Sequence, residues 1–93
     1  MEYRIDCSGI TDRREFHRIL SHTLSFQEGY GNNLDALYDC LTDLYEPTHL
    51  ILENWDPLSP VLGIFRPVLD EAEIENTKFT VTYIPPVDTC SSL

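Results

Sequence analysis

The chain has 93 residues, 42% of them hydrophobic, which suffices for one packed core and leaves no room for a second. Six Lys and Arg residues against sixteen Asp and Glu residues give a formal net charge of −10. A charge of this sign repels nucleic acid and anionic membranes and attracts cationic partners, so it excludes a nucleic-acid-binding or membrane-surface role.

The beginning of the chain predicts a strand followed by a helix. Residues 3–7 alternate between apolar and charged side chains, which is typical of a half-buried strand. Asp12 and Glu15 then have the spacing of a capping box. An apolar helical face follows, made of Phe16, Ile19, Leu20 and Leu24. We therefore predict a first helix over residues 12–24.

A loop and a second helix come next. Residues 25–32 contain two glycines, which favour a loop. Asn33 is a favourable N-cap residue. Behind it, leucines recur at helical spacing, at Leu34, Leu37, Leu41 and Leu44. The helix is predicted over residues 34–45 and is expected to end before Pro47.

Two further strands are predicted in the second half of the chain. Residues 49–53 hold a short apolar run suited to a buried central strand, and the prolines in residues 54–60 indicate a loop. Residues 79–84 are rich in β-branched and aromatic side chains, which favours a third strand. Pro85 ends this strand, and we expect residues 87–93 to be a flexible tail.

The segment between those strands has a mixed pattern. Apolar residues in 61–72 keep helical spacing, but Gly63 and Pro67 interrupt it. We expect either a kink or a short turn followed by a helix that begins near Pro67, where proline is tolerated in the first turn. Asn76 is expected to end this helix.

The order strand, helix, helix, strand, helix, strand indicates an α/β fold. Helices that separate consecutive strands imply parallel pairing through crossover connections. We therefore predict a three-stranded parallel β-sheet flanked by three to four α-helices, with residues 1–86 forming a single domain.

The second helix carries the most informative charge pattern. Asp35, Asp39 and Asp43 are spaced by four residues, so their carboxylates line one helix face with Tyr38 beside them. The leucines occupy another face, which must be buried, and the carboxylates therefore stand in solvent. This arrangement is unfavourable for the free protein because like charges four residues apart repel. An ordinary solvated face of an acidic protein is the simpler interpretation.

A row of carboxylates can also imitate RNA phosphates. Arginine binds carboxylate and phosphate by the same bidentate geometry, so the row could occupy a cationic site built to hold RNA. Tyr30 and Tyr38 could supply aromatic anchors around the charges. Alternatively, Tyr30 and Asn33 only hold the loop that leads into the helix.

The residues of this segment resemble a known family. The run Tyr30-Gly31-x-Asn33-Leu34-Asp35-Ala36-Leu37-x-Asp39-Cys40-Leu41 is similar to the signature of the barstar family, intracellular inhibitors of barnase-type ribonucleases. The run Val68-Leu69-Asp70-Glu71-Ala72 resembles the last helix of that family. The resemblance implies a barstar-like fold, a three-stranded parallel sheet flanked by helices, which agrees with the prediction from the residues.

The resemblance also implies roles for individual residues. Asp39 matches the acidic residue that enters the phosphate site of the ribonuclease, and Asp35 matches its neighbouring carboxylate. Tyr38 stands at a contact position usually held by tryptophan, and Glu71 matches an acidic residue on the last helix. The implied function is stoichiometric inhibition of a basic microbial extracellular ribonuclease, in a one-to-one complex, by blocking its cationic active site.

The chain departs from the family pattern at three positions. Gly29 stands where the family has an aromatic contact, and Asp43 and Leu44 also differ. These departures bear on the identity of the target more than on the mode of binding. An alternative function is therefore that of an immunity protein which neutralises a toxin other than a ribonuclease through the same acidic face.

Other chemistry finds little support in the sequence. An acid–base pair of Asp35 and Asp39 would need a concave pocket and a third group, so we expect no enzyme activity. His17, His22 and His49 lack metal-ligand spacing and are interpreted as surface or strand-edge histidines. We expect no metal and no cofactor.

The cysteines and the sequence signals indicate the cellular compartment of the protein. The chain has three cysteines, an odd number without a CxxC spacing, which favours a reducing environment. Cys40 is interpreted as a small core residue. No signal peptide and no apolar run of membrane-spanning length is visible. We therefore expect a cytoplasmic protein that is a monomer when free.

Overall fold

The computed structural model describes residues 1–26, 30–31 and 33–86. Its elements in chain order are β1 (Glu2–Asp6), α1 (Arg13–Thr23), α2 (Leu34–Thr42), β2 (Thr48–Glu53), α3 (Pro60–Glu75) and β3 (Phe79–Tyr83). This order confirms the predicted α/β fold class, with three helices. The predicted tail, residues 87–93, and Gly29 lie outside the described residues.

The three strands form one parallel sheet in the order β1-β2-β3, with β2 in the centre. Tyr3 of β1 is paired with Leu50 of β2, and Leu50 is paired with Val81 of β3. Helices α1 and α2 connect the first two strands, and α3 connects the last two. The central position of β2 explains its near-continuous apolar sequence, since neither of its edges is free.

A single hydrophobic core lies between the sheet and the helices. Alternate strand residues, among them Ile5, Leu50, Leu52, Phe79 and Val81, belong to the same buried cluster as residues from all three helices. The helices supply Phe16, Leu20, Leu37, Leu41, Leu62, Phe65, Leu69 and Ala72. Because successive side chains of a strand point to opposite faces, the core covers one face of the sheet. Trp55 is buried in this core as well, 2% exposed.

The opposite face of the sheet is polar. Arg4 donates to Glu53 over 3.0 Å from Nη1 to Oε2, and Nε2 of His49 lies 2.7 Å from Oγ1 of Thr82. Ile51 also belongs to this face, and it is only 5% exposed although it lies outside the core cluster. Its neighbours across the sheet are Arg4 and Thr82, whose side chains stand on the same face.

One edge of the sheet is capped by a side chain. Strand β3 lies at the edge, and the backbone N–H of Val81 donates to Oε2 of Glu73 in α3 over 2.8 Å. An edge N–H normally lacks a protein partner and can pair with another chain. Because the carboxylate of Glu73 accepts from the N–H of Val81, this N–H is not available to another strand.

Helix α3 corrects the sequence prediction. It is one continuous helix of 16 residues that begins at Pro60 and runs through both Gly63 and Pro67, so the expected late start near Pro67 is wrong. Ser59 is its N-cap and accepts from the N–H of Leu62. Pro67 has no backbone N–H, so the carbonyl of Gly63, four residues earlier, lacks its helical hydrogen bond. Both residues are exposed, and water can therefore bind this carbonyl.

Buried contacts on both sides of the proline explain why α3 persists. Leu62 and Phe65 precede it, Leu69 and Ala72 follow it, and all four belong to the core. This spacing places them on one helix face, so a break at Pro67 would pull half of that face out of the core.

The ends of α2 and α3 are joined by Asn76. Its side-chain amide donates to the carbonyl oxygens of Leu41 over 3.0 Å and Leu44 over 2.9 Å, with a longer contact of 3.4 Å to Thr42. Helix α2 therefore ends at Thr42, earlier than the predicted residue 45, because Asn76 takes the carbonyls of its last turn. Since Asn76 is also the C-cap of α3, the two helices run in parallel.

Candidate functional site

Asn33 organises the start of α2. Oδ1 of Asn33 accepts from the N–H of Ala36 over 2.7 Å, which confirms the predicted N-cap, and its Nδ2 donates to the carbonyl of Gly31. A Cβ atom on Gly31 would lie 2.9 Å from that Nδ2, so only glycine fits without a shift. Asn33 thus fixes where α2 begins and how its first turn is oriented.

The two faces of α2 are divided as predicted. Leu37 and Leu41 are completely buried, and Asp35, Asp39 and Asp43 are exposed. Within the described ranges, none of these three carboxylates has a Lys, Arg or His nitrogen within ion-pair distance. The row of negative charge is therefore available to an external cation.

A groove between α2 and α3 brings most of the predicted site residues together. Leu34, Asp35, Tyr38 and Asp39 of α2 form one wall, and Pro67, Val68 and Glu71 of α3 form the other. Glu71 is far from Asp35 and Asp39 in sequence, and the packing of α3 against α2 places it in the same groove. The groove has carboxylates along its rim and apolar side chains between them.

Tyr38 lies near three carboxylates, those of Asp39, Glu71 and Glu75. Partial burial raises the pKa of its hydroxyl, and the negative charges of Glu75, Glu71 and Asp39 raise it further. Glu75 is a residue that the sequence analysis missed. Its spacing of four from Glu71 on α3 was the available signal, but its proximity to α2 depends on helix packing. The phenol remains protonated and can donate a hydrogen bond.

Tyr30 has a more internal position than an aromatic anchor would need. It is half-buried, its hydroxyl lies 2.6 Å from Nδ1 of His17, and its ring packs 5.1 Å from that of Phe26. Burial raises the pKa of the Tyr30 hydroxyl. These contacts give Tyr30 a role in holding the chain ahead of α2.

His17 corrects its predicted surface position. It is 4% exposed, and its ring packs 4.8 Å from that of Phe65 in α3. Burial lowers the pKa of the imidazole, and the positive charge of Arg13 lowers it further. His17 is therefore neutral in the folded protein at pH 7 and belongs to the packing between α1 and α3.

A second depression lies on the other flank of α2. Asp39, Asp43, Tyr45 and Glu46 border it, and Cys40 contributes to its lining. Cys40 is half-buried, whereas the sequence favoured a core position. Burial raises the pKa of its thiol, and Asp39 and Asp43 raise it further, so the thiol is protonated at neutral pH. Asp39 belongs to both depressions.

The described part of the chain holds neither a candidate metal site nor a candidate membrane-spanning helix. No group of three or more His, Cys, Asp or Glu side chains there has a geometry that could hold a metal ion. None of the described helices is long and apolar enough to cross a membrane.

Comparisons with known proteins agree with the geometry. The family model "Barstar (barnase inhibitor)" matches residues 1–84. A Bacillus subtilis (strain 168) protein named "Putative ribonuclease inhibitor YrdF" is 38% identical over 77 residues, and this match covers 71% of the chain and 85% of that protein. The family match spans all three strands, the groove between α2 and α3 and the depression on the other flank of α2.

Proposed function

The chain belongs to the barstar family, and we propose that it inhibits a basic microbial ribonuclease by covering the enzyme's active site with α2 and the facing part of α3. The complex has one copy of each protein, and no bond is broken. The inhibitor acts by occupying the cleft that RNA would otherwise enter.

The observation that carries this proposal is the cluster of carboxylates around Tyr38. Asp35 and Asp39 project from α2, and Glu71 and Glu75 belong to the neighbouring turns of α3. A ribonuclease binds RNA phosphates with Arg, Lys and His side chains, and the same groups bind carboxylates. The net charge of −10 adds long-range attraction, which speeds encounter with a basic enzyme at low salt.

Asp39 has the central role in this proposal. It borders both the groove toward α3 and the depression on the other flank of α2, so a bound partner surrounds it. Its carboxylate then replaces a phosphate and becomes desolvated among cations. Asp35 and Asp43, one turn away on either side, extend the contact along the helix.

The rigidity of α2 supports tight binding. Asn33 fixes its first turn and Asn76 fixes its last, so little conformational entropy remains to be lost on association. Tyr30 contributes through its contact with His17, which holds the entrance in place. Tyr38, in the middle of the groove, is the aromatic contact.

The thiols fit a role inside a reducing compartment. Cys7 is buried, and its burial together with the charge of Asp6 raises the pKa of its thiol to about 12. Cys7 and Cys40, the two cysteines in the described residues, are both free thiols, which is usual for proteins of a reducing compartment. We propose that the protein is located in the cytoplasm and is a monomer when it is not bound to its partner.

A second candidate function keeps the same surface and changes the enzyme. Asp43 adds a carboxylate where the family pattern differs, which changes the contact beside α2. An immunity protein for a toxin other than a ribonuclease would use the same acidic groove. Neutralisation of a toxin that lacks ribonuclease activity would favour it.

Inhibition assays test the main proposal. Barnase and other small basic microbial ribonucleases are assayed with the protein at low and high salt, together with Asp39→Asn. Nanomolar one-to-one inhibition is expected, with a loss of at least about 100-fold in Asp39→Asn because the enzyme's cations lose a desolvated partner. Asp56→Asn is the matched control. It removes the same charge from an exposed aspartate that follows the carboxyl end of β2, whereas α2 connects to the amino end of β2.

Two results would count against this mechanism. Equal inhibition by wild type and Asp39→Asn would show that α2 is not the contact surface. Absence of inhibition across the panel would move the assignment to the toxin of the second candidate function.

A further inference from the structure

Tyr45 is an exposed aromatic residue on a well-anchored loop. Its side chain is 78% exposed, whereas most of the other described aromatic residues are buried or half-buried. The loop that carries it, residues 43–47, connects α2 to β2 and is called the α2–β2 loop here. An aromatic side chain in this position buries little apolar surface within its own chain.

Four successive carbonyl groups of the α2–β2 loop accept hydrogen bonds. Asn76 donates to Leu44 over 2.9 Å, and Lys78 Nζ donates to Tyr45 over 3.0 Å. The hydroxyl of Thr48 donates to Glu46 over 2.9 Å, and the amino group of Met1 donates to Pro47 over 2.7 Å. The backbone around Tyr45 is therefore fixed, and its exposure does not result from a loose loop.

The position of Tyr45 connects it to the proposed binding surface. Tyr45, Asp43 and Asp39 border the same depression on the flank of α2 that faces away from α3. Asp39 also lines the groove between α2 and α3. A partner centred on Asp39 that covers both sides of α2 therefore reaches the ring of Tyr45.

We propose that Tyr45 is a specificity-determining contact of the inhibitor, and this inference rests on the proposed function. The partner group it receives is a cationic side chain with an aliphatic stem, arginine above all. The stem and guanidinium pack on the ring, and the carboxylates of Asp43 and Glu46 on either side neutralise the charge. Lys78 is a positioning residue, because its ammonium group donates to the backbone carbonyl of Tyr45.

The fixed backbone makes this residue suitable as an anchor. Tyrosine provides a large contact area with few rotatable bonds, and such residues dominate the energy of many interfaces. Since the loop is already ordered, contacts of the ring are gained at little entropic cost on binding. Their loss is then expected mainly in the dissociation rate.

The test measures association and dissociation rates with barnase and the other basic ribonucleases that the wild type inhibits. Tyr45→Ala is expected to weaken binding about 10- to 100-fold, mainly through faster dissociation, with the melting temperature nearly unchanged. Tyr45→Phe is expected to retain most of the affinity, because it keeps the ring. Ile74→Ala is the matched control, since Ile74 is 79% exposed on α3 and borders neither depression.

Lys78→Met tests the positioning role. The change removes the donor to the Tyr45 carbonyl and keeps most of the aliphatic stem. In the wild-type background it is expected to weaken binding several-fold. In a Tyr45→Ala background the same change is expected to have no further effect on affinity, which a purely electrostatic role of Lys78 would not produce.

The outcomes separate this inference from the function on which it rests. If Tyr45→Ala binds within twofold of wild type while Asp39→Asn loses affinity, the Tyr45 contact is wrong and the inhibitor function stands. If Asp39→Asn also binds like wild type, the acidic surface itself is not the interface, and both are overturned.

Discussion

Nδ1 of His17 lies 2.6 Å from the hydroxyl oxygen of Tyr30, and this contact links α1 to the chain segment that leads into α2. The histidine is 4% exposed and packs against Phe65 of α3, so three parts of the molecule meet at one imidazole. The stability of the segment that leads into α2 is therefore expected to depend on the protonation state of His17, which lies outside the proposed binding surface.

This coupling predicts a pH dependence of folding stability. Because burial lowers the pKa of His17 in the folded state, the unfolded chain binds its proton first as the pH falls. The contribution of the neutral imidazole is complete above the ordinary histidine pKa of about 6.5 and is lost as the pH falls through the lower folded-state pKa. Tyr30 and Arg13 are the described polar or charged groups known to act on it.

Urea unfolding at pH 7.5 and pH 5.5 measures this effect. Wild type is expected to lose more free energy of unfolding between the two pH values than His17→Gln, which cannot titrate. His22→Gln is the control, since His22 lies on the same helix and is exposed. The same pH dependence in His17→Gln and wild type would contradict the prediction.

Tyr30→Phe separates the structural role of Tyr30 from a direct contact. The change removes the hydroxyl and leaves Nδ1 of His17 without its described partner. We expect the free energy of unfolding to fall by about 1 kcal/mol, which is the usual net cost of a lost hydrogen bond. Affinity for the ribonuclease is expected to change by less than about threefold, as judged by inhibition constants below the unfolding temperature. A large loss of affinity with unchanged stability would assign the hydroxyl to the interface.

Asp39→Ala is predicted to stabilise the free protein while it weakens the complex. Asp39 lies one turn from both Asp35 and Asp43 and has a lower helix propensity than alanine. Relief of these costs is expected to raise the free energy of unfolding by about 0.5–1 kcal/mol. Denaturation in low salt and in 1 M NaCl checks the origin of the gain, because screening should reduce its electrostatic part. A destabilised Asp39→Ala protein would show that the carboxylate has a structural partner.

Asn76→Asp is predicted to destabilise the fold by about 2 kcal/mol or more. The aspartate keeps the acceptor for the N–H of Lys78 but loses the amide donors to Leu41 and Leu44. It also places a carboxylate against carbonyl oxygens. Chemical denaturation measures the change, and amide hydrogen exchange at the end of α2 locates it. If Asn76→Asp is as stable as wild type, the joint between α2 and α3 does not depend on these hydrogen bonds.

The features of the site that were predictable from sequence are those within one helix. The spacing of leucines and aspartates in α2 determines which side is buried, and Asn33 is recognisable as its cap. These properties depend on side chains three or four residues apart, so they need no knowledge of the rest of the fold. The parallel pairing of the strands was also predicted, from the helices that separate consecutive strands along the chain, whereas the order of the strands in the sheet was not.

The features that were not predictable depend on contacts between elements. Pro67 suggested a break, but burial of Phe65 and Leu69 on either side of it holds α3 together. His17 is internal because α3 and the segment before α2 close over it. Glu75 comes close to Tyr38 only because α3 packs against α2, and the backbone of Tyr45 is held by Lys78 from a distant part of the chain. The spacing of four between Glu71 and Glu75 is visible in the sequence, but it does not show which element α3 packs against.

The hydrogen bond from Val81 to Glu73 limits how the protein can associate with others. A foreign strand that approached β3 would have to displace this carboxylate before it could extend the sheet. Growth of the sheet by strand addition at that edge is therefore disfavoured, and it should become easier when Glu73 is replaced by a residue that cannot accept this hydrogen bond. Contacts made through the helical layer then do not compete with sheet extension on the β3 side.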